Sequence, residues 1–241
     1  TLSIDRRQRQ MCIRDRSREV EFKFGVSEKQ AFYQLVAHLK LPESVLTEGV
    51  TQINHFFDSP SLCLHKKHYA VRLREEKDKD LLTVKGEKTP QPKENSVLSS
   101  RIEEEVVIPR QTAVDLLHGE ITPQQAIRDH FKSKSASILT MINTACNDQA
   151  LIHIGEFSNL RIHLPAVILP GAISSDKLEF ELDTSTFPDG SIDHEIEVEI
   201  AEHTDAALVE SALVELLQQA GIQWHSAPST AERFFASISN S

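Results

Sequence analysis

The chain has 241 residues, of which 39% are hydrophobic and 26% are charged, and its formal net charge is −10 at pH 7. Its mean hydropathy is −0.30, and no apolar run approaches the ~18 residues that span a bilayer, which argues against a membrane protein. The acidic balance argues against a general nucleic-acid binder. We therefore expect a globular cytoplasmic protein with a sizeable core.

The three cysteines, Cys12, Cys63 and Cys146, are odd in number and widely spaced. This pattern favours neither a disulfide framework nor a thiolate zinc site. We expect Cys63 and Cys146 to be small buried apolar residues in a protein of a reducing compartment.

Residues 1–17 show no apolar periodicity, and the stretch MCIRDR (11–16) resembles the translation of a transposon adapter used in preparing sequencing libraries. Our hypothesis is that this leader is not native and should be excluded from fold reasoning. The alternative is a native disordered tail.

Alternating apolar and polar side chains predict eight β-strands. The predicted strands span residues 18–25, 52–59, 68–76, 81–88, 101–108, 150–164, 177–184 and 192–200. Apolar stripes predict a helix after strand one, three helical segments between residues 111 and 144, and two helices after strand eight. Most connections between strands are short. The pattern therefore predicts an α+β protein in which one antiparallel sheet closes into an eight-stranded barrel, with the helices packed outside.

Several residues are predicted to begin or end these helices. Ser27 and Gln30 are spaced as a capping box for the first helix. Thr122 precedes Pro123 as an N-cap. Thr204 can cap the long helix that contains residues 209–220, and Gly221 follows it.

Seven of the eight predicted strands have one charged and one apolar face. On strand eight, Glu195, Glu197 and Glu199 share a face, although carboxylates that lie next to one another on a strand face repel each other. If the sheet closes, ten carboxylates and six cations share its interior. The carboxylates are Glu19, Glu21, Glu103, Glu105, Glu179, Glu181, Asp183, Glu195, Glu197 and Glu199. The cations are Lys23, Arg72, Arg74, Lys85, Arg101 and Arg161.

Such an interior is costly unless the buried charges find partners. Divalent cations such as Mg²⁺ or Mn²⁺ suit an all-oxygen ligand set. A polyanion suits the arginine and lysine side chains, because guanidinium groups match phosphate oxygens. A ligand that is both polyanionic and metal-binding is a polyphosphate.

The same residues form an ordered series of motifs. The series comprises E-x-E-x-K (19–23), FFDS (56–59), AVRLR (70–74), TVKG (83–86), R-x-E-x-E (101–105), a basic residue at 161, ELD (181–183) and EIEVE (195–199). Over about residues 18–238 the chain resembles the CYTH, or triphosphate tunnel metalloenzyme, superfamily. This resemblance implies an eight-stranded antiparallel tunnel that binds a triphosphate together with one or two Mg²⁺ or Mn²⁺ ions.

The resemblance also implies roles for individual residues, carried over by matching position. The expected metal ligands are Glu19, Glu21, Asp183, Glu195, Glu197 and Glu199. The expected phosphate-binding residues are Lys23, Arg72, Arg74, Lys85, Arg101 and Arg161. The expected catalytic residues are Lys23, Glu21 and Glu197, in a metal-assisted attack of water on the terminal phosphorus.

Two positions depart from the resemblance. Thr230 stands where family members commonly carry a lysine on the C-terminal helix, and Arg233, about one turn further, is the candidate substitute. Phe57 stands where thiamine triphosphatase-like members tend to have tyrosine, which disfavours thiamine triphosphate as the substrate.

The expected function is hydrolysis of inorganic triphosphate to diphosphate and phosphate. The alternatives are hydrolysis of thiamine triphosphate or a nucleoside triphosphate, cyclisation of ATP as in class IV adenylate cyclases, and non-catalytic binding of polyphosphate or nucleotide. The expected partner is a small triphosphate, with no nucleic acid and no membrane, and the expected state is a monomer or homodimer.

Overall fold

A computed structural model describes residues 19–88, 97–167, 178–201 and 204–239. The predicted leader, residues 1–17, lies outside this set, as do the first residue of predicted strand one and the first residue of predicted strand seven. Among the described residues, no helix combines the length and the apolar character that crossing a membrane requires.

Eight antiparallel strands form a closed barrel in the order β1-β5-β4-β3-β2-β6-β7-β8, and β8 pairs with β1 to complete it. The strands are β1 (Glu19–Val26), β2 (Val50–Asp58), β3 (Ala70–Glu75), β4 (Asp80–Lys88), β5 (Leu98–Ile108), β6 (Ile152–His163), β7 (Glu179–Thr186) and β8 (Ile192–Glu199). The predicted strands and the predicted closure are confirmed. Because side chains alternate along a strand, closure turns one face of each strand inward and the other toward the helices.

The described helices are α1 (Gln30–His38), α2 (Arg110–His118), α3 (Pro123–His130), α4 (Ser135–Cys146), α5 (Ala206–Gln219) and α6 (Thr230–Ser239). The cap at Thr122 is confirmed, since its side chain accepts a hydrogen bond from the Gln125 backbone N–H.

Two other predicted caps are wrong. The first helix begins only at Gln30 and has no side-chain cap, so Ser27 lies before the helix rather than at its N-cap. Asp205, not Thr204, caps α5, and its carboxylate accepts hydrogen bonds from the backbone N–H groups of Ala207 and Leu208. A carboxylate is also the better partner for the positive end of the helix dipole.

Two apolar cores lie between the barrel and its helices. One packs α1 and α5 on the outer faces of β1, β7 and β8, and it includes Phe22, Phe32 and Leu213. The other packs α2, α3 and α4 on the outer faces of β2, β3 and β4, and it includes Leu73 and Ile127. Because these cores take the apolar faces of the strands, the charged faces must line the lumen.

Five phenylalanines, which we call the aromatic end cluster, close one end of the barrel. Its members are Phe56, Phe157, Phe187, Phe234 and Phe235, all buried. Phe56 and Phe157 belong to the inward faces of β2 and β6, whereas Phe234 and Phe235 come from α6. The α6 helix therefore packs across the barrel end and brings its own side chains to the lumen.

The prediction that Cys63 and Cys146 are merely buried apolar residues is wrong, because they form a disulfide. Their Cα atoms lie 5.2 Å apart although 83 positions separate them in the sequence. A disulfide needs this close Cα spacing. The bond ties the β2–β3 connection to the end of α4.

Candidate tunnel site

Opposite charges occupy opposite sides of the lumen. Strands β7, β8 and β1 are contiguous in the barrel, and so are β5, β4 and β3. We call the inward carboxylates of β7, β8 and β1 the acidic wall, and the inward arginine and lysine residues of β3, β4 and β5 the basic wall. The two walls meet where β1 pairs with β5, and β2 and β6 separate them on the other side.

Strand register assembles the acidic wall. Asp183 lies directly opposite Glu195, and Glu181 lies directly opposite Glu197. The Asp183, Glu195 and Glu197 side chains are buried, with residue exposures of 4%, 2% and 5%. Glu21 is similarly buried and lies opposite Glu199 on the other side of β8. The structure thus brings these predicted metal ligands onto one surface.

Two predicted phosphate-binding residues lie within the acidic wall rather than opposite it. Lys23 forms ion pairs with Glu197 and, at 3.4 Å, with Glu21. Burial alone would lower the pKa of the Lys23 ammonium, but Glu197 and Glu21 outweigh that effect and raise it above its ordinary value. Sequence parity predicted that Lys23 faces the lumen, but it did not predict these partners.

Arg161 is the second cation of the acidic wall. Its Nε donates to Asp183 Oδ1 at 2.8 Å and its Nη2 donates to Glu197 Oε2 at 2.9 Å, while Nη1 pairs with Glu181. Burial would lower the pKa of the guanidinium, but Asp183 and Glu181 together raise it well above its ordinary value. Both cations therefore stay charged and partly neutralise the carboxylates around them.

Arg233 of α6 completes this set. Its guanidinium pairs with Asp193 at 2.6 Å and with Glu195, and it lies over the ring of Phe187 at 5.5 Å from the centroid. The α6 helix thus brings Arg233 to the acidic wall, and its substitution for the C-terminal lysine of family members stays a prediction. Thr230 Oγ1 accepts a hydrogen bond from the same guanidinium at 3.3 Å.

The basic wall contains Arg72, Arg74, Lys85 and Arg101, of which Arg72 and Arg101 are buried and the other two are half-buried. Lys85 pairs with Glu103 at 2.6 Å, and Arg72 lies 3.8 Å from the same carboxylate. Thr83 Oγ1 donates to Glu105 at 2.8 Å. Burial would raise the pKa of Glu105, but Arg74 and Arg72 outweigh burial and lower it. Two carboxylates thus partly neutralise this wall.

The acidic wall retains electrostatic strain that a cation would relieve. Burial raises the pKa of Glu181 from its ordinary 4.5 to about 7 against the opposing effect of Arg161, and Glu197 and Asp183 add smaller contributions that also raise it. Burial also raises the pKa of Glu195. Within the described residues, Glu195 Oε1 is buried and accepts no hydrogen bond. Oxygen ligands of this kind fit Mg²⁺ or Mn²⁺.

The remaining predicted residues lie nearer the open end. Glu199 is half-buried and Glu179 is exposed. The backbone of Glu19 pairs with that of Arg101, but its side chain lies outside the described set. Among the tunnel side chains that the structure describes, no three carboxylates bring ligand atoms within 4.8 Å of one another. Lys23, Arg161 and Arg233 lie between the carboxylates and keep them apart.

A group of neutral polar side chains separates the two walls along β2 and β6, and no sequence motif singles it out. Asn159 Nδ2 donates to Gln52 Oε1 at 3.1 Å, and Ser185 Oγ donates to Asn159 Oδ1 at 3.3 Å. Arg74 Nε donates to Asn54 Oδ1 at 3.2 Å. Only the inward parity of Gln52 and Asn54 on β2 could have revealed this group.

Asp58 and Phe57 of the FFDS element (56–59) contribute to the fold and do not line the lumen. Asp58 is fully buried, and its carboxylate accepts hydrogen bonds from the backbone N–H groups of Ser59, Leu64 and His65 at 2.7–2.9 Å. Phe57 faces outward into the core formed with α2, α3 and α4. Its identity therefore does not bear on which triphosphate enters the tunnel, contrary to the sequence-based argument.

A closed eight-stranded barrel with opposed acidic and basic walls defines a charged-tunnel protein. The chain belongs to the CYTH domain family, whose model matches residues 17–235. This agrees with the resemblance identified from the motifs.

The match to an individual curated protein covers much less of the chain than the match to the family model does. A Bacillus subtilis (strain 168) protein named "Putative triphosphatase YjbK" is 40% identical over 67 residues, which is 28% of this chain and 33% of that protein. The chain thus matches about a third of the length of this relative.

Two solved structures share the fold. One is a Hippeastrum protein named "Putative adenylyl cyclase HpAC1" and described as having a dominant triphosphatase activity, with 21% identity, a TM-score of 0.69, and coverage of 90% of this chain and 95% of that one. The other is a Bacillus halodurans protein named as a putative adenylate cyclase, with 22% identity, a TM-score of 0.58, and coverage of 91% and 100%.

Proposed function

We propose that the protein is a metal-dependent triphosphatase whose preferred substrate is inorganic triphosphate, cleaved to diphosphate and phosphate. The observation that carries this proposal is that the acidic wall and the basic wall line the same lumen. Family membership and the names of the relatives support the same class of activity.

The basic wall accounts for substrate binding. Arg72, Arg74, Lys85 and Arg101 lie on three adjacent strands, so a linear polyanion can contact several of them at once. Bidentate guanidinium contacts hold phosphate oxygens in a fixed orientation. Glu103 and Glu105 would have to release Lys85 and Arg72 in part, which limits tight binding to ligands with several negative charges.

The acidic wall accounts for the metal. Glu19, Glu21, Asp183, Glu195, Glu197 and Glu199 are the residues that would hold Mg²⁺ or Mn²⁺. When bound, such an ion supplies positive charge to the phosphate oxygens and acts as a Lewis acid. Lys23 and Arg161 remain charged beside these carboxylates and would orient the terminal phosphoryl group for in-line attack by water.

The aromatic end cluster favours a small substrate. Phe56, Phe157 and Phe234 fill the barrel beyond Arg233, which leaves little room at that end for a large organic group. Inorganic triphosphate has no organic group, so the filled end of the barrel does not limit how it enters the lumen.

Phosphate release from the purified full chain tests the proposal. Inorganic triphosphate, thiamine triphosphate and ATP are each assayed with Mg²⁺, Mn²⁺ or EDTA. We expect release that requires metal and is fastest with inorganic triphosphate. Cyclic AMP formed from ATP would indicate a cyclase. Binding of triphosphate without release from any substrate in the presence of metal would contradict the enzymatic assignment and favour a binding module.

A further inference from the structure

Three metal-ligating side chains meet on the outer surface of the barrel, away from the lumen. His55 Nδ1 lies 3.2 Å from His153 Nε2 and 3.1 Å from Glu156 Oε2. All three ligand atoms lie within 4.8 Å of one another. His55 shares the outward face of β2 with Phe57, whereas the inward face of that strand carries Asn54. The cluster is therefore separated from both tunnel walls by the sheet itself.

A β-bulge brings two members of this cluster together. His153 and Glu156 are three positions apart, and in a regular strand they would point to opposite faces. The register shifts so that Phe56 pairs with Gly155 but Phe57 pairs with His153. Gly155 at the bulge has φ +156°. Its missing side chain also leaves room for Phe234, because a Cβ there would lie 3.3 Å from Phe234 Cζ. Bulges commonly redirect a side chain in this way.

The partners of His55 direct its second nitrogen toward the other two groups. His55 Nε2 lies 2.8 Å from Glu75 Oε2, and Glu75 Oε1 accepts a hydrogen bond from Arg110 at 2.6 Å. In the tautomer that donates from Nε2 to Glu75, the lone pair of His55 Nδ1 points toward His153 and Glu156. An imidazole with one nitrogen bound to a carboxylate and the other turned toward further ligating groups is the arrangement that orients metal-binding histidines.

We propose that His55 Nδ1, His153 Nε2 and Glu156 Oε2 bind one Zn²⁺ ion, with Glu75 as the carboxylate that positions His55. Tetrahedral ligands with zinc bonds of about 2.0–2.1 Å lie about 3.3 Å apart, close to the observed separations. Two imidazoles select a transition metal over Mg²⁺. Glu156 is 57% exposed, so the fourth coordination position faces solvent.

A zinc ion here would join β2 to β6 and, through Glu75, to β3.

Cobalt(II) titration of the chelator-treated full chain tests the site. Co²⁺ in a tetrahedral nitrogen and oxygen environment absorbs strongly in the visible range, whereas Co²⁺ on six oxygens absorbs weakly, and excess Mg²⁺ keeps Co²⁺ out of the tunnel. We expect one equivalent of strongly absorbing Co²⁺, displaced by one equivalent of Zn²⁺. His153→Ala and Glu156→Gln should each weaken binding at least tenfold, and Glu75→Gln about 10- to 100-fold.

His118→Ala is the matched control, because His118 is exposed at the end of α2 and outside the cluster. It should bind Co²⁺ as the unmodified chain does. Phosphate release with Mg²⁺ should be unchanged in His153→Ala, which separates this site from the tunnel. A chain without the strong visible band, or equal affinities in His153→Ala and His118→Ala, would overturn the proposal and leave His55 as a hydrogen-bonded link between Glu75 and its neighbours on β6.

Discussion

Glu197 pairs with two cations of the tunnel, since Lys23 and Arg161 both bind its carboxylate. It is also directly opposite Glu181 on β7. A carboxylate in this position can hold a metal ion and orient two cations toward a phosphate at the same time. Loss of its charge should therefore affect turnover more than loss of a peripheral carboxylate.

If the proposed function is right, Glu197→Gln should reduce metal-dependent phosphate release about 100-fold or more, because it removes charge where the ion and the phosphoryl group would meet. The variant keeps the volume of the side chain. The measurement is kcat and KM for triphosphate over a range of Mg²⁺ concentrations. Glu179→Gln is the control, since Glu179 is exposed on the same sheet face. Equal activity in the two variants would show that Glu197 lies outside the reaction centre.

Glu181 makes stability depend on pH. Its pKa is raised from 4.5 to about 7 in the folded chain, mainly by burial. The folded state then binds this proton more tightly than the unfolded state does, so stability falls as pH rises from about 4.5 to about 7 and is constant above that window. Because the side chain is 30% exposed, solvent screening reduces the effect to about 1–2 kcal/mol.

Chemical denaturation in EDTA at pH 5 and pH 8 measures this effect. Glu181→Gln cannot ionise, so it should lose about 1–2 kcal/mol less stability between the two pH values than the unmodified chain. Glu179→Gln should behave like the unmodified chain. Parallel losses in all three proteins would mean that Glu181 titrates normally.

At the scale of elements, α6 joins the barrel end to the acidic wall. Ser229 and Glu232 form a capping box, in which the Ser229 N–H donates to the Glu232 carboxylate at 2.7 Å and the Glu232 N–H donates to Ser229 Oγ at 3.3 Å. This cap fixes where the helix begins. One turn later Arg233 enters the lumen and Phe234 packs in the aromatic end cluster.

Arg233→Met should destabilise the chain by about 3 kcal/mol, because it removes the cation that pairs directly with the buried Glu195 carboxylate. Arg233→Lys keeps the charge and should cost clearly less. Thermal unfolding in EDTA measures both, and Mg²⁺ should recover part of the loss in Arg233→Met. Lys79→Met, which removes an exposed cation paired with Glu76 at 3.4 Å, should change stability by less than about 0.5 kcal/mol. A similar loss in Lys79→Met would rule out a specific role for the buried pair.

The disulfide joins two elements that contact each other only in the folded chain. It closes a loop across 83 sequence positions, and such bonds typically stabilise by about 2–4 kcal/mol. Cys63→Ser should therefore lower the midpoint of thermal unfolding by about 5–15 °C. Reduction of the unmodified chain should have the same effect, whereas Cys12→Ser should have none. A midpoint insensitive to both reduction and Cys63→Ser would mean that the bond does not stabilise the fold.

Sequence parity was sufficient to predict which side chains face the lumen, because a period of two leaves few choices once a strand is closed into a barrel. The ion-pair partners of these side chains could not be predicted from sequence parity. Arg161 lies beside β7 only because β6 pairs with β7, and this neighbour relation depends on the barrel order. The bulge at Gly155 is equally hidden, since one extra residue puts His153 and Glu156 on the same face without changing the alternating pattern nearby.

For the whole molecule, the arrangement of charge matters more than its total. Each wall is neutralised only in part by its own residues: Lys23, Arg161 and Arg233 on the acidic side, and Glu103 and Glu105 on the basic side. A metal ion alone adds charge near the internal cations, and a triphosphate alone adds charge near the carboxylates. The two ligands together compensate each other, so each should strengthen the binding of the other.

Thermal unfolding with Mg²⁺, with inorganic triphosphate and with both tests this coupling. At about 100 times the dissociation constant, a ligand stabilises by about 2.7 kcal/mol, which is a shift of about 5–10 °C for a domain of this size. We expect the shift with both ligands to exceed the sum of the separate shifts, and Glu197→Gln to lose this excess. Potassium chloride at matched ionic strength controls for screening. Strictly additive shifts would mean that the metal and the triphosphate bind without contacting a common set of charges, and the tunnel would then hold two independent sites.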